Sequence, residues 1–258
     1  MPNELSGLRV MITRPQQQAI SLMAQLESAG AKPLLFPLLE IIPLSSPELE
    51  RHLEQLEHYD MAIFISPNAV KYGVNAVTAR QSMPESLSLA TVGAGTAHEL
   101  ELRLQRRPDI IPARGNDSEA LLAEPALQDI KGKHILVFRG QGGREHLAKT
   151  LRTRGAEVDY AEVYERRRPE VDTGPLNTAV REKAIDVIVI TSSEALDNLM
   201  TMMEPPNLEA LRQIQLLVIH PRQADHARKL GFHHKPILAQ DGSVNAIIKA
   251  LSSLRVMA

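Results

Sequence analysis

The chain repeats itself, and this limits its fold more than any other feature of the 258 residues. The opening apolar run into Arg14, a helical pattern, Gly30 and an apolar strand ending near Glu40 recur 125 residues later around Arg139, Gly155 and Glu165. The stretch from Asp60 to Ser66 returns as Asp186 to Ser192 at an offset of 126, and Ala97 returns as Ala224 at 127. Two similar halves thus account for nearly the whole sequence, and the expected architecture is two alike domains.

Within each half, strand-length apolar runs alternate with helix-length amphipathic segments. Residues 8–13, 62–65, 89–92, 135–138, 187–190 and 216–219 read as buried strands, each followed by a helical pattern. Such alternation builds βαβ units and parallel sheets, so the fold class is α/β. Ser66-Pro67 predicts an N-cap with Pro at the first helical position, Thr191-x-x-Glu194 a capping box, and Gly30, Gly155 and Gly231 helix ends. Extended Pro-containing segments, 37–47 and 165–175, follow the first βαβ of each half. The pattern leaves two arrangements open: sequential domains, or a chain that crosses between domains twice.

Composition removes several functions. There is no Cys, hence no disulfide, thiolate metal site or cysteine nucleophile. A net charge of −2 supplies no global field for nucleic acid or anionic lipid. Aromatics are 3% with no Trp, which leaves little for base stacking. The most apolar stretch, 34–44, is cut by Pro37, Glu40 and Pro43, far short of a membrane span, and the amino terminus has no secretion pattern. The expectation is a soluble, cytoplasmic monomer without nucleic-acid or membrane partners.

In open parallel sheets ligands bind beyond the carboxyl ends of the strands. That edge carries Arg14, Ser66, the Gly93-Ala-Gly95-Thr96 turn, the loop from Arg139 and Gly140 to Arg144, Ser192-Ser193 and His220-Pro-Arg222. Helix-start amides, hydroxyls and arginines together suit carboxylates or phosphates. Ser66, Thr191 and Ser192 also read as plain caps, and Arg14 and Arg139 equally as structural caps or ion-pair partners. The turn at Gly93 lacks the third Gly of a dinucleotide fingerprint, and the loop after Arg139 lacks the Gly-Lys-Ser/Thr ending of a phosphate loop. The nine His are scattered and no Gly-x-Ser-x-Gly elbow occurs, so neither a metal site nor a serine hydrolase is supported. Tyr164 sits in the second crossover segment, where it reads either as a hinge tyrosine packing its ring or as a phenol that donates a proton.

These motifs, in this order, resemble the uroporphyrinogen-III synthase family: Thr13-Arg14-Pro15, Phe64-Ile-Ser66-Pro-Asn-Ala-Val70, Val92-Gly-Ala-Gly-Thr96, Phe138-Arg-Gly140 through Gly143-Arg144, Val163-Tyr164 and Ile190-Thr-Ser192-Ser193. The resemblance implies two flavodoxin-like parallel-sheet domains, with a double chain crossover and an interdomain cleft. The expected division is 1–36 with 172–258, and 38–165. It also implies cofactor-free cyclisation of a linear tetrapyrrole, hydroxymethylbilane, with inversion of its terminal ring. Tyr164 is then the catalytic candidate, with Arg14, Ser66, Gly95, Thr96, Arg139, Gly140, Ser192 and Ser193 as substrate contacts. The family's hydroxyl-bearing turn in the last quarter is replaced by His220-Pro221-Arg222-Gln223, so no hydroxyl role carries over there. The rival reading is a non-enzymatic two-domain module that binds a small anion.

Overall fold

The computed structural model describes residues 4–143 and 145–255. In chain order the elements are β1 (Arg9–Ile12), α1 (Gln16–Ser28), β2 (Lys32–Leu35), β3 (Glu40–Pro43), α2 (Pro47–Glu54), β4 (Met61–Phe64), α3 (Pro67–Thr78), β5 (Ser88–Thr91) and α4 (Ala94–Leu104). They continue with α5 (Ser118–Leu122), β6 (His134–Gly140), α6 (His146–Thr153), β7 (Glu157–Arg167), α7 (Gly174–Arg181), β8 (Val187–Ile190) and α8 (Ser193–Met202). The last are α9 (Leu208–Arg212), β9 (Gln215–Val218), α10 (Pro221–Lys229), β10 (Ile237–Leu238) and α11 (Val244–Arg255). None of the described helices is long and apolar enough to cross a membrane.

The chain forms two compact units, one from residues up to Glu40 joined by those from Arg167 on, the other Ile41–Arg166. The boundaries fall within β3 and β7, the two strands on which the chain passes from one unit to the other.

In the first unit the strand order is β10-β9-β8-β1-β2. Val10, Ile12, Val187 and Val189 face one way, onto Leu22 and Leu26 of α1 and Ile247 and Leu251 of α11. Met11, Ile188 and Ile190 face the other, onto Leu176 and Val180 of α7 and Leu196 and Leu199 of α8. Because helices cover both faces, the central strands run apolar without alternation over Val10–Ile12, Val187–Ile190 and Leu216–Val218.

The second unit has the order β3-β7-β6-β4-β5. Ala62, Phe64, Leu136 and Phe138 pack on Val70, Val74 and Val77 of α3, with Phe64 and Phe138 stacked at 4.5 Å. Ile63, Ile135 and Val137 pack on Leu147 and Leu151 of α6.

The sequence repeat maps strand for strand: β1 onto β6, β2 onto β7, β8 onto β4 and β9 onto β5, so β9-β8-β1-β2 and β5-β4-β6-β7 are one order built twice. Even the outer strand has a trace. The pairing Leu217–Ile237 of β9 with β10 is matched, 127 residues earlier, by a parallel bridge Ala90–Ile110. Each unit combines the first βαβ of one half of the sequence, β1-α1-β2 or β6-α6-β7, with the later strands of the other half.

The repeated Asp is a register pin in both sheets. Asp60 accepts from the His134 backbone at 2.9 Å and from Lys133 Nζ at 2.8 Å, while Asp186 accepts from the Arg9 backbone at 2.8 Å and its Nε at 3.0 Å. Each carboxylate thereby pairs the first N–H of the adjoining central strand, which would otherwise lack a partner. Lys133, then the His134 N–H, hold the Asp60 carboxyl below its ordinary range. The repeated glycines end their helices at φ +86° for Gly30 and +90° for Gly155, a conformation Gly enters without a Cβ penalty.

Candidate functional site

In the second unit, β4, β5 and β6 deliver their loops to one edge of the sheet, and β7 adds Tyr164 by way of a bulge. Arg139 pairs with Glu162 but Gly140 pairs with Tyr164, so Val163 is an extra residue on β7. A bulge re-aims the side chain that follows it, and here Val163 and Tyr164 are consecutive buried residues, the one such pair in β7. The Tyr164 ring lies over Gly140. A Cβ on Gly140 would meet its Cε2 and Cζ at 2.6 Å, so the position admits no side chain. Tyr164 is 6% exposed, packs 5.7 Å from the Tyr72 ring, and brings its OH to 3.3 Å from Ser66 Oγ. Burial, then the neighbouring Tyr164, pushes the Tyr72 phenol up, and Tyr72 donates to Ile41 O at 2.8 Å.

Ser66 is the N-cap of α3, accepting from Ala69 N at 3.1 Å with Pro67 in the first turn, as its sequence context predicts. Gly95 is exposed in the first turn of α4, with nothing within 4 Å of a built Cβ; Thr96, beside it, is buried. Asn116 Oδ1 closes the start of that helix by accepting from Ala94 N at 3.1 Å.

Arg139 has internal partners. It is 2% exposed, its Nε donates to Gly140 O at 3.2 Å, its Nη1 to Glu145 at 3.0 Å and its Nη2 to Gly142 O, and it stacks 4.5 Å from the Tyr160 centroid. Tyr160 in turn donates to Glu145 at 2.5 Å, and Glu162 accepts from Gly142 N at 3.1 Å. Hydrogen bonds from Tyr160, then Arg139, hold the Glu145 carboxyl below its ordinary range; burial, then Glu145, pushes the Tyr160 phenol up. The planar guanidinium is what fastens the loop after β6. Arg144, which closes that loop motif, lies outside the described residues. Arg139→Ala removes three hydrogen bonds and a large buried side chain, and is expected to destabilise the protein by about 2–4 kcal/mol, read as a fall in Tm of roughly 5–15 °C.

Ser66, Arg139, Gly140 and Tyr164 line one pocket of 360 Å³, together with Asn116, Asp117, His146 and Arg166. Sequence reasoning missed Asn116 and Asp117, although Gly115-Asn-Asp-Ser118 is a recognisable turn cluster. It also missed Glu145, Tyr160 and Glu162, which come together only through the pairing of β6 with β7 and the loop between β6 and α6. Among the described residues no three His, Asp or Glu are grouped to hold a metal.

In the first unit the corresponding edge carries Arg14, Ser192, Ser193 and His220. Arg14 is half-buried, donates to Gly242 O, and is drawn below its ordinary value by that burial. The Asp241-Gly242-Ser243 turn that receives it was not singled out from sequence. The expected capping box at Thr191 is corrected: Ser192 is the cap, accepting from Ala195 N at 3.0 Å, and Ser193 is the first helical residue. The strand ends at Ile190, and two residues are used to turn the chain before α8 begins. The divergent turn proves to be a cap as well, with His220 accepting from Arg222 N and Gln223 from His220 N, at 3.1 and 3.2 Å.

Comparison with known proteins places this architecture. A protein-family model, "Uroporphyrinogen-III synthase HemD", matches residues 21–246. The uroporphyrinogen-III synthase of Salmonella typhimurium is 32% identical over 95% of this chain and all of its own length; that of Escherichia coli is 30% identical over the same shares. Among solved structures, a mutant uroporphyrinogen III synthase of Thermus thermophilus superposes with a TM-score of 0.66 at 19% identity, covering 97% of this chain and 100% of that one. The synthetase of Helicobacter pylori gives 0.62 at 16%, covering 96% and 100%. At such identities the structures speak for the fold.

Proposed function

Because the chain belongs to the uroporphyrinogen-III synthase family, lyases of tetrapyrrole biosynthesis, we propose that it converts hydroxymethylbilane to the type III macrocycle by a cofactor-free cyclising dehydration that inverts the terminal pyrrole ring. The observation that carries this reading is the Tyr164 phenol, held over Gly140 on the wall of the 360 Å³ pocket.

The reaction asks little of strong catalytic groups. Loss of the terminal hydroxyl leaves an electrophilic azafulvene, which closes unaided to the wrong isomer, so the protein chiefly decides where the ring attacks. A ~100-fold preference needs only about 2.7 kcal/mol of differential transition-state stabilisation, which orientation can supply. Tyr164 donates its proton to the departing hydroxyl, which leaves as water. The first turns of α3, α4 and α8 offer N–H groups to substrate carboxylates; Pro67 has none to give and Ala94 N is held by Asn116, so the donors in the first two are Asn68 and the exposed Gly95. Arg14 adds a cation whose remaining donors stand at the same kind of strand end. The internal partners of Arg139 make it a holder of the loop rather than a direct carboxylate ligand.

Arg14→Met is expected to raise KM about 10-fold with little change in kcat, the loss of one charge-assisted hydrogen bond. The function itself is tested by a coupled assay that generates hydroxymethylbilane and resolves type I from type III product. Type III as the dominant product supports the reading. Type I formed at the spontaneous rate in the presence of folded protein removes it.

A further inference from the structure

We infer that Ser66 is the positioning residue that sets the Tyr164 phenol as a proton donor, by donating its own hydroxyl hydrogen to the phenol oxygen. The inference rests on the proposed role of Tyr164 and deepens it.

Ser66 Oγ has two described partners, and in its contact with Tyr164 either oxygen can donate. The Ala69 N–H donates to it at 3.1 Å, occupying an acceptor site, and the Tyr164 OH lies 3.3 Å away. With the backbone N–H supplying one hydrogen to the oxygen, the serine hydrogen is free to turn towards the phenol. The phenolic hydrogen is then available to the departing hydroxyl. As that hydrogen leaves, the oxygen it leaves behind becomes negative. It then receives a charge-assisted hydrogen bond from Ser66, whose oxygen sits at the positive end of the twelve-residue α3.

Capping alone does not explain the contact. Ser192, the counterpart of Ser66 126 residues later, caps α8 through Ala195 at 3.0 Å, and no phenol is among its described hydrogen-bond partners. Nor is the cap satisfied by serine alone, since Asp caps a helix as well. An Asp here would have no hydrogen to donate and would set a negative charge beside the developing phenolate. The residue type that meets both demands is a hydroxyl side chain. The bulge at Val163 and the absence of a side chain at Gly140 bring the phenol within its reach.

The test is steady-state type III formation from hydroxymethylbilane by the full chain. Its variants are Ser66→Gly, Ser66→Thr, Tyr164→Phe and the Ser66→Gly/Tyr164→Phe double variant, each with a thermal melt. Gly caps a helix within a few tenths of a kcal/mol of Ser, so Ser66→Gly isolates the hydroxyl. It is expected to lower kcat about 10–150-fold, one charge-assisted hydrogen bond's worth, while KM stays within about 2-fold. Ser66→Thr, which restores hydroxyl and cap together, should recover kcat to within about 3-fold of the original protein. In the double variant the Ser66 change should add nothing to Tyr164→Phe, because its only route to the reaction is gone. Should Ser66→Gly not fold, Ser66→Asp keeps the cap and is expected to lose at least as much kcat.

Original turnover in folded Ser66→Gly or Ser66→Asp overturns the inference. So does a Ser66→Gly loss of equal size in the Tyr164→Phe background, or a folded Ser66→Thr as slow as Ser66→Gly. Slow Tyr164→Phe beside unimpaired Ser66→Gly removes the serine role and leaves the proposed acid standing. Tyr164→Phe at the original rate removes the acid, and the serine role with it.

Discussion

Tyr164→Phe is expected to lower type III formation by about 10²–10⁴-fold while the thermal melt stays near that of the original protein. The substitution deletes one oxygen and keeps a ring that is buried over Gly140 and beside Tyr72. The lost contact with Ser66 is long at 3.3 Å, and Ser66 keeps its cap on Ala69, so the folded state loses little. Turnover in contrast loses the donor to the departing hydroxyl. A fall of only a few-fold would mean that water or backbone amides supply the proton and that the enzyme works by holding the tetrapyrrole in a closing conformation. Original turnover in a well-folded Phe variant would end the catalytic assignment.

Gly140→Ala is the second substitution with a large expected effect, and it acts by displacement. The new methyl would stand 2.6 Å from two ring carbons of Tyr164 and 3.0 Å from its OH. The ring has little freedom to yield, since it is 6% exposed and its own backbone carbonyl accepts from Gln141 N at 2.7 Å. Overpacking of this kind destabilises by about 1–3 kcal/mol. Moving a reacting group by roughly 1 Å is worth on the order of 10²-fold in rate, so type III formation should fall by about that factor even where the variant folds. Tyr164→Phe/Gly140→Ala should then be little slower than Tyr164→Phe alone, as both changes act on the same phenol. A Gly140→Ala enzyme with original kcat would show that the ring position is unimportant.

The α/β class and the twofold repetition were legible because they are written in local signals: apolar runs of strand length, helix punctuation, and offsets that hold from Arg14 to Ala224. Ser66 as a cap was equally legible, since a cap is decided by its neighbours within one turn. What escaped was set by pairing between distant segments. The one-residue slip at Val163, which brings Tyr164 over Gly140, has no local signature. The partners of Arg139 are also set by pairing between segments: Tyr160 reaches the guanidinium from the neighbouring strand β7, and Glu145 from the loop after β6. The same holds for Arg14, whose partner Gly242 lies at the far end of the sequence. The single misplaced cap, Thr191 for Ser192, was an error of one position at a strand-to-helix turn, where boundaries read from pattern are least determinate.

The mixed parentage of the two sheets also sets an order of events during synthesis. Ile41–Arg166 is an unbroken stretch, so all the strands of its sheet have been translated once Arg166 is made. The other sheet is opened first and closed last. Strands β1 and β2 emerge before the inserted unit, yet β8, the neighbour that makes β1 a central strand, arrives only after the whole of it. At about 5–20 residues per second, β1 and α1 spend on the order of 10–30 s on the nascent chain with Val10, Ile12, Leu22 and Leu26 lacking their final cover. Maturation of the protein is therefore paced by the return of its carboxyl-terminal half, and the amino-terminal hairpin of strand, helix and strand is the segment most exposed to premature association or to a waiting chaperone.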